Sequence, residues 1–195
     1  SGDVKVTLKL DGEKAFPLMF RMPRWCENPN ITVNGEGVQA DASPGSMCTI
    51  HRTWKSGDVI ELAFPMEVRL VKGRRSQAGR VAIMHGPLVF GLNKALNDGL
   101  GDIQPRLLTM NVDSLEGPIA DDSVHPGGLA CMIEVWDPGQ WYPGPVSRKL
   151  TLTEFPDPGC EAAYFVVPNP EDERFVDDEL RSEERRVGKE CATGC

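Results

Sequence analysis

The chain has 195 residues, enough for one large domain or two of about 100 residues each. A hydrophobic share of 40% against 26% charged residues supplies a core, and a net charge of −8 excludes a polyphosphate or anionic membrane surface as the natural partner. No apolar run approaches the roughly 20 residues needed to span a bilayer, so a soluble chain is expected, with its compartment left open. Sixteen prolines and 20 glycines favour turns between short strands over helices.

The N-terminus opens directly on a strand pattern: Val4, Val6, Leu8 and Leu10 alternate with Lys5, Thr7 and Lys9. It carries neither an initiator Met nor the form of a signal peptide, which suggests a chain cut from something longer. Asp11-Gly12 supplies a turn, and Phe16, Leu18, Phe20 and Met22 form a second apolar face. Ile31-Thr32-Val33 runs into Asn34-Gly35, the dipeptide best suited to a tight hairpin because both residues accept positive φ. Further strands are predicted at Met47–Arg52, Val59–Phe64, Met66–Val71, Arg80–Met84 and Leu88–Leu92. From Asn93 to Gly128 the pattern weakens, with only Arg106–Val112 reading as a strand. It returns at Cys131–Trp136, Arg148–Phe155 and Ala162–Val167. The acidic stretch Glu171–Leu180 is the one candidate helix. The prediction is an all-β chain of two consecutive antiparallel β-sandwich domains with few or no helices: residues 1–92, lacking their first strands, and residues 93–180. Residues 181–195 are expected to be a non-native, disordered tail. Within it, Arg181–Cys191 reads RSEERRVGKEC, which resembles the translation of a sequencing adapter.

Six cysteines (Cys26, Cys48, Cys131, Cys160, Cys191, Cys195) are scattered without CxxC or Cys/His spacing, so buried free thiols are expected rather than zinc ligands. Glu134 and Asp137 are the nearest thing to a glycosidase carboxylate pair, but most carboxylates simply face solvent. His51, His85 and His125 sit apart, each without an evident nucleophile, and are read as structural. Lys72-Gly-Arg-Arg75 with Arg80 forms a basic cluster, either a docking patch or a solvated hairpin tip. The aromatic loop Trp136-Asp-Pro-Gly-Gln-Trp141-Tyr142 is the candidate carbohydrate-binding element. Sugars stack their C–H faces on exposed indole rings, and Asp137 and Gln140 could meet hydroxyls. The alternative is that these rings pack the loop beneath the sandwich.

An ordered set of blocks carries a family resemblance: Phe16-Pro-Leu-Met-Phe-Arg-Met-Pro-Arg-Trp25, Ile31-Thr-Val-Asn-Gly-Glu36, Ile50-His-Arg-Thr-Trp-Lys-Ser-Gly-Asp-Val59, Leu62-Ala-Phe-Pro-Met66 and Val81-Ala-Ile-Met-His-Gly-Pro-Leu-Val-Phe90. Together they resemble the middle domain of glycoside hydrolase family 127, the β-L-arabinofuranosidase-like proteins. Leu150–Phe155 and Tyr164–Pro168 are more loosely similar to that family's C-terminal domain. His85 stands where Arg is usual and Phe90 where Tyr is usual, which blurs the substrate. The resemblance implies an accessory region that braces a missing N-terminal (α/α)6 catalytic barrel. That barrel would carry the zinc site and the cysteine nucleophile, so no catalytic residue, metal ligand or cofactor is assigned to this chain. An oligosaccharide is the possible small partner; no nucleic acid or membrane partner is expected. A surface cut from its barrel should leave a large apolar face and an unpaired sheet edge. The alternatives are a free-standing carbohydrate-binding module and a structural oligomerisation sandwich.

Overall fold

A computed structural model describes residues 2–140, 142 and 144–177. The predicted tail, Trp141 and residues 178–180 of the predicted helix lie outside the described residues. What is described is all-β, with only three-residue 3-10 turns as helical elements. The chain divides into two compact units, Ser1–Glu67 and Val68 onward, each with its own core.

The first unit holds β1 (Asp3–Thr7), β2 (Lys14–Arg21), β3 (Asn30–Val33), β4 (Glu36–Gly37), β5 (Met47–Trp54) and β6 (Val59–Ala63). They form a four-stranded sheet in the order β1-β6-β3-β4 and a two-stranded sheet of β2 and β5. Strand alternation sends Ile31 and Val33, Ile60 and Leu62, and Cys48, Ile50 and Trp54 into one shared core, against Phe16, Leu18 and Phe20. The predicted hairpin forms between β3 and β4: Asn34 (φ 54°) and Gly35 (φ 83°) both lie in the left-handed region, as a type I′ turn requires. Asn34 is held from outside the turn as well. Its Nδ2 donates to Asp58 Oδ1 (3.0 Å), and its Oδ1 accepts from Val59 N (2.9 Å).

The second unit holds β7 (Val68–Lys72), β8 (Arg80–His85), β9 (Leu88–Asn93), β10 (Thr109–Ala120), β11 (Leu129–Trp136), β12 (Arg148–Glu154), β13 (Cys160–Ala162), β14 (Phe165–Val166) and β15 (Phe175–Val176). Its sheet runs β13-β9-β12-β11-β10-β14-β8-β7-β15, and β8 also pairs with β9. That last pairing closes a ring of six strands, β8-β9-β12-β11-β10-β14, so the second sandwich that was expected is a sheet curled onto itself around one core. Val81, Ile83, Phe90 and Leu92 share that core with Leu108, Met110, Ile133, Leu150, Leu152 and Phe165.

Two differences from the sequence-based expectation follow from long-range pairing. The strands at Arg80 and Leu88 were expected to finish the first domain, with a boundary near residue 92. They pair instead with β14 and β12, and the units divide at Glu67. β10 runs on to Ala120, well past Val112, because it continues along β11 through two register shifts that erase its alternation. The described part of the predicted acidic helix is a turn followed by β15. Asn169 Oδ1 accepts from Glu171 N (3.1 Å) and Asp172 Oδ1 from Arg174 N (3.0 Å), side-chain bonds that compete with helix formation.

Candidate functional site

The loop after β11 begins at Trp136, which is only 6% exposed. Its Nε1 donates to Gly144 O at 2.9 Å, tying the strand end to the far side of the loop. Tyr142 stands edge-on to it, with ring centroids 4.9 Å apart and planes at 80°, and is 52% exposed. A buried indole therefore holds an exposed phenol ring in place. The two polar groups expected to meet hydroxyls are engaged within the fold. Asp137 takes a two-point contact from Arg148, Nε to Oδ1 at 2.9 Å and Nη2 to Oδ2 at 2.5 Å, and Arg148 Nη1 reaches Gly99 O at 2.7 Å. Gln140 Oε1 accepts from Ser147 Oγ, which itself accepts from Asp137 N at 2.8 Å. Trp141, the remaining candidate, is outside the described residues.

Tyr142 lines a depression of about 80 Å³ whose other walls come from β10 and from the stretch around β15. Met110 and Phe175 supply buried apolar surface; Asn111, Asp113, Asn169, Asp172 and Arg174 supply polar groups. Arg174 binds Asp172 through Nε (2.9 Å) and Nη2 (2.7 Å) and Asp113 through Nη1 (2.6 Å). These bonds hold Asp172 down to about 2 and raise Arg174 further above its ordinary range. Sequence reasoning missed this group. Its members lie some 60 residues apart in the chain, and only the fold brings them together. The first unit has a wider concavity of about 430 Å³ on its outward sheet face, lined in part by Asp3, Lys5, Asn30, Thr32 and Glu61. There Lys5 pairs with Glu61 at 3.0 Å, both well exposed.

The other candidates are placed apart. Glu134 Oε2 faces Asn111 Nδ2 at 3.4 Å, whereas Asp137 is committed to Arg148. His125 Nε2 meets Glu154 Oε2 at 3.3 Å and its Nδ1 faces Pro126 O at 3.2 Å; acceptors on both nitrogens favour the charged ring and raise its pKa. His51 lies on the outward face of β5, and His85 ends β8, where burial lowers its pKa. In the basic cluster, Lys72 reaches Glu171 (3.6 Å), Arg74 reaches Asp177 (3.7 Å), and Arg80 donates to the carbonyls of Arg106 and Ser76. Cys26, Cys48 and Cys131 are buried free thiols and Cys160 is half-buried; desolvation leads the upward shift of each, taking Cys131 up to about 12. Among the described residues, no three His, Cys, Asp or Glu side chains gather as a metal-holding group, and no helix is long and apolar enough to cross a membrane.

Comparison with known proteins assigns the first unit. Residues 1–66 match the family described as β-L-arabinofuranosidase, GH127 middle domain. A non-reducing end β-L-arabinofuranosidase of Bifidobacterium longum subsp. longum is 28% identical over 137 residues, covering 66% of this chain and 20% of that enzyme. A solved glycoside hydrolase superposes on 86% of this chain and 30% of its own, with a TM-score of 0.66 and 26% identity. A GH127 β-L-arabinofuranosidase from Geobacillus stearothermophilus T6 shares the fold over 85% of this chain and 28% of its own, with a TM-score of 0.64 and 23% identity. The chain thus spans a fifth of the length of its curated relative and under a third of these solved ones. The first 66 residues are thus similar in sequence to the GH127 middle domain, and most of the chain shares its fold with solved glycoside hydrolases.

Proposed function

We propose that this chain is a non-catalytic β region of a glycoside hydrolase resembling β-L-arabinofuranosidases, and that it braces an (α/α)6 catalytic barrel carried on the same parent protein. The zinc and the cysteine nucleophile implied by the resemblance would belong to that barrel. The observation that carries the reading is the match of residues 1–66 to a middle domain, a segment named for its place between others. A physical feature supports it. The outward face of the β2–β5 sheet presents Ala15, Pro17, Met19 and Arg21 beside Met47, Thr49, His51 and Thr53, and Met19 and Met47 are 57% and 47% exposed. Two flexible thioethers on a sheet face suit packing against another domain better than contact with water.

The test has two arms. The purified chain is assayed for hydrolysis of 4-nitrophenyl β-L-arabinofuranoside, and the parent reading frame, extended upstream, is assayed in parallel. Activity is expected only in the extended protein. There, M19D/M47D should lower the melting temperature while leaving the isolated chain's melting unchanged. Hydrolysis by the chain alone, lost on a substitution within it such as Glu134→Gln, would overturn the reading.

A further inference from the structure

We propose that the depression beside Tyr142 is a binding site for a single neutral sugar residue, a reading that does not rest on the bracing role. Three properties meet there. The Tyr142 ring is half-exposed yet fixed edge-on by a buried tryptophan, so little entropy is lost when a ligand covers it. An exposed aromatic face is what the C–H face of a furanose or pyranose ring packs against.

Hydrogen-bonding capacity also remains beside that ring. A guanidinium has five N–H donors, and Arg174 spends one each on Asp172 Oδ1, Asp172 Oδ2 and Asp113 Oδ1. Two donors are left, next to an Asp113 carboxylate whose other oxygen has no partner among the described residues. Planar donor and acceptor groups side by side match a pair of neighbouring hydroxyls, each of which both donates and accepts. Asn111 and Asn169 add amide groups to the same wall.

Charge then selects among ligands. Two carboxylates and one guanidinium leave the site slightly negative, which disfavours phosphates, sulfates and uronates. The size of the depression, about 80 Å³, seats the edge of one ring and not a chain. A terminal or branching residue of an oligosaccharide fits those limits. The loop's own polar residues, Asp137 and Gln140, play no part, since Arg148 and Ser147 occupy them.

The experiment is saturation-transfer NMR on the full chain with methyl α-L-arabinofuranoside, methyl β-D-xylopyranoside, methyl β-D-galactopyranoside and methyl β-D-glucuronide. With one ring and two or three hydrogen bonds, a dissociation constant of about 1 mM is expected for at least one neutral glycoside. Tyr142→Ala should weaken it about tenfold, and Tyr142→Phe by no more than about twofold. Asp113→Asn should weaken it while leaving the aromatic contact in place. Tyr142 is half-exposed, so its variants should melt with the parent chain, which separates lost binding from lost folding. Transfer to none of the neutral glycosides, undiminished transfer in Tyr142→Ala, or preference for the glucuronide would each overturn the proposal.

Discussion

Replacing Trp54 tests how the first unit is held together. This side chain is fully buried at the end of β5, and its Nε1 donates to Phe16 O on β2 at 2.9 Å, across 38 residues of sequence. Its ring lies 6.3 Å from that of Phe16 and carries the Arg52 guanidinium at 5.2 Å. Trp54→Phe keeps an aromatic ring but removes the indole donor to the Phe16 carbonyl, at a cost of about 0.5–1.5 kcal/mol. The smaller ring also gives up about 40 Å² of apolar contact, near 1 kcal/mol at 25 cal/mol per Å². The sum is roughly 2 kcal/mol. Trp54→Ala adds a cavity and should cost about 5 kcal/mol. At ~0.05–0.15 kcal/mol per residue, a unit of this size has ~3–10 kcal/mol in hand, so the alanine variant should remove half or more of its stability. The assay is hydrogen exchange read by mass spectrometry on peptides covering β2 and β5, beside thermal melting followed by circular dichroism. A phenylalanine variant that loses less than ~1 kcal/mol of protection would show that the indole bond is not what joins the two strands.

In the second unit, an added Cβ on Gly91 would overlap the Cys160 sulfur and crowd Ala162 O at 2.9 Å, so Gly91→Ala should cost about 1–3 kcal/mol. Cys160→Ala in the same chain should recover part of that loss; additive melting shifts would refute the clash. The His125–Glu154 contact ties the β10–β11 loop to β12, and His125 carries a folded pKa above its ordinary 6.5. Its stabilisation is therefore complete below pH 6.5 and is lost as pH rises through the folded value. The melting gap between the parent chain and His125→Gln should accordingly narrow with rising pH, and an NMR titration placing His125 below 6.5 would contradict the argument. Burial pushes the Cys131 thiol up to about 12, so iodoacetamide at pH 8.5 should spare it in the folded chain and label it in urea.

The legible parts of this fold were those set by neighbours in sequence. The alternation of Ile31 and Val33, or of Ile60 and Leu62, announces its own strand because burial on one face is written with a period of two. Asn34-Gly35 announces its turn because few other pairs accept positive φ twice. What stayed hidden depends on partners far along the chain. Nothing local in Arg80–His85 says that it will pair with Phe165 and Val166 rather than close the first unit. Leu115–Ala120 reads as a loop because its register shifts break the alternation that marks a strand. The aromatic loop was half legible. Trp136 and Tyr142 drew notice as a pair of large rings, but the same residue types serve for packing and for binding. The fold divides them, burying one and exposing the other. Asp137 could not be separated from a ligand-facing carboxylate until Arg148 was seen beside it.

The two units also treat their sheet edges differently, which bears on where a partner domain would attach. In the six-stranded ring every member has a neighbour on each side, and the strands at the outer ends of the sheet, β13 and β15, have only three and two residues. Short flanking strands of this kind offer little to a foreign chain. In the first unit, β2 and β5 are eight residues long, and among the described residues each pairs only with the other. Pro17 lies within β2, and proline is tolerated in a strand where its missing N–H faces away from a ladder. That blunts one edge at one point and leaves β5 without such protection. The exposed methionines lie on the same two strands. A long open edge and two exposed methionines therefore coincide on the β2–β5 sheet, and the proposed bracing contact is to be sought there before anywhere on the ring.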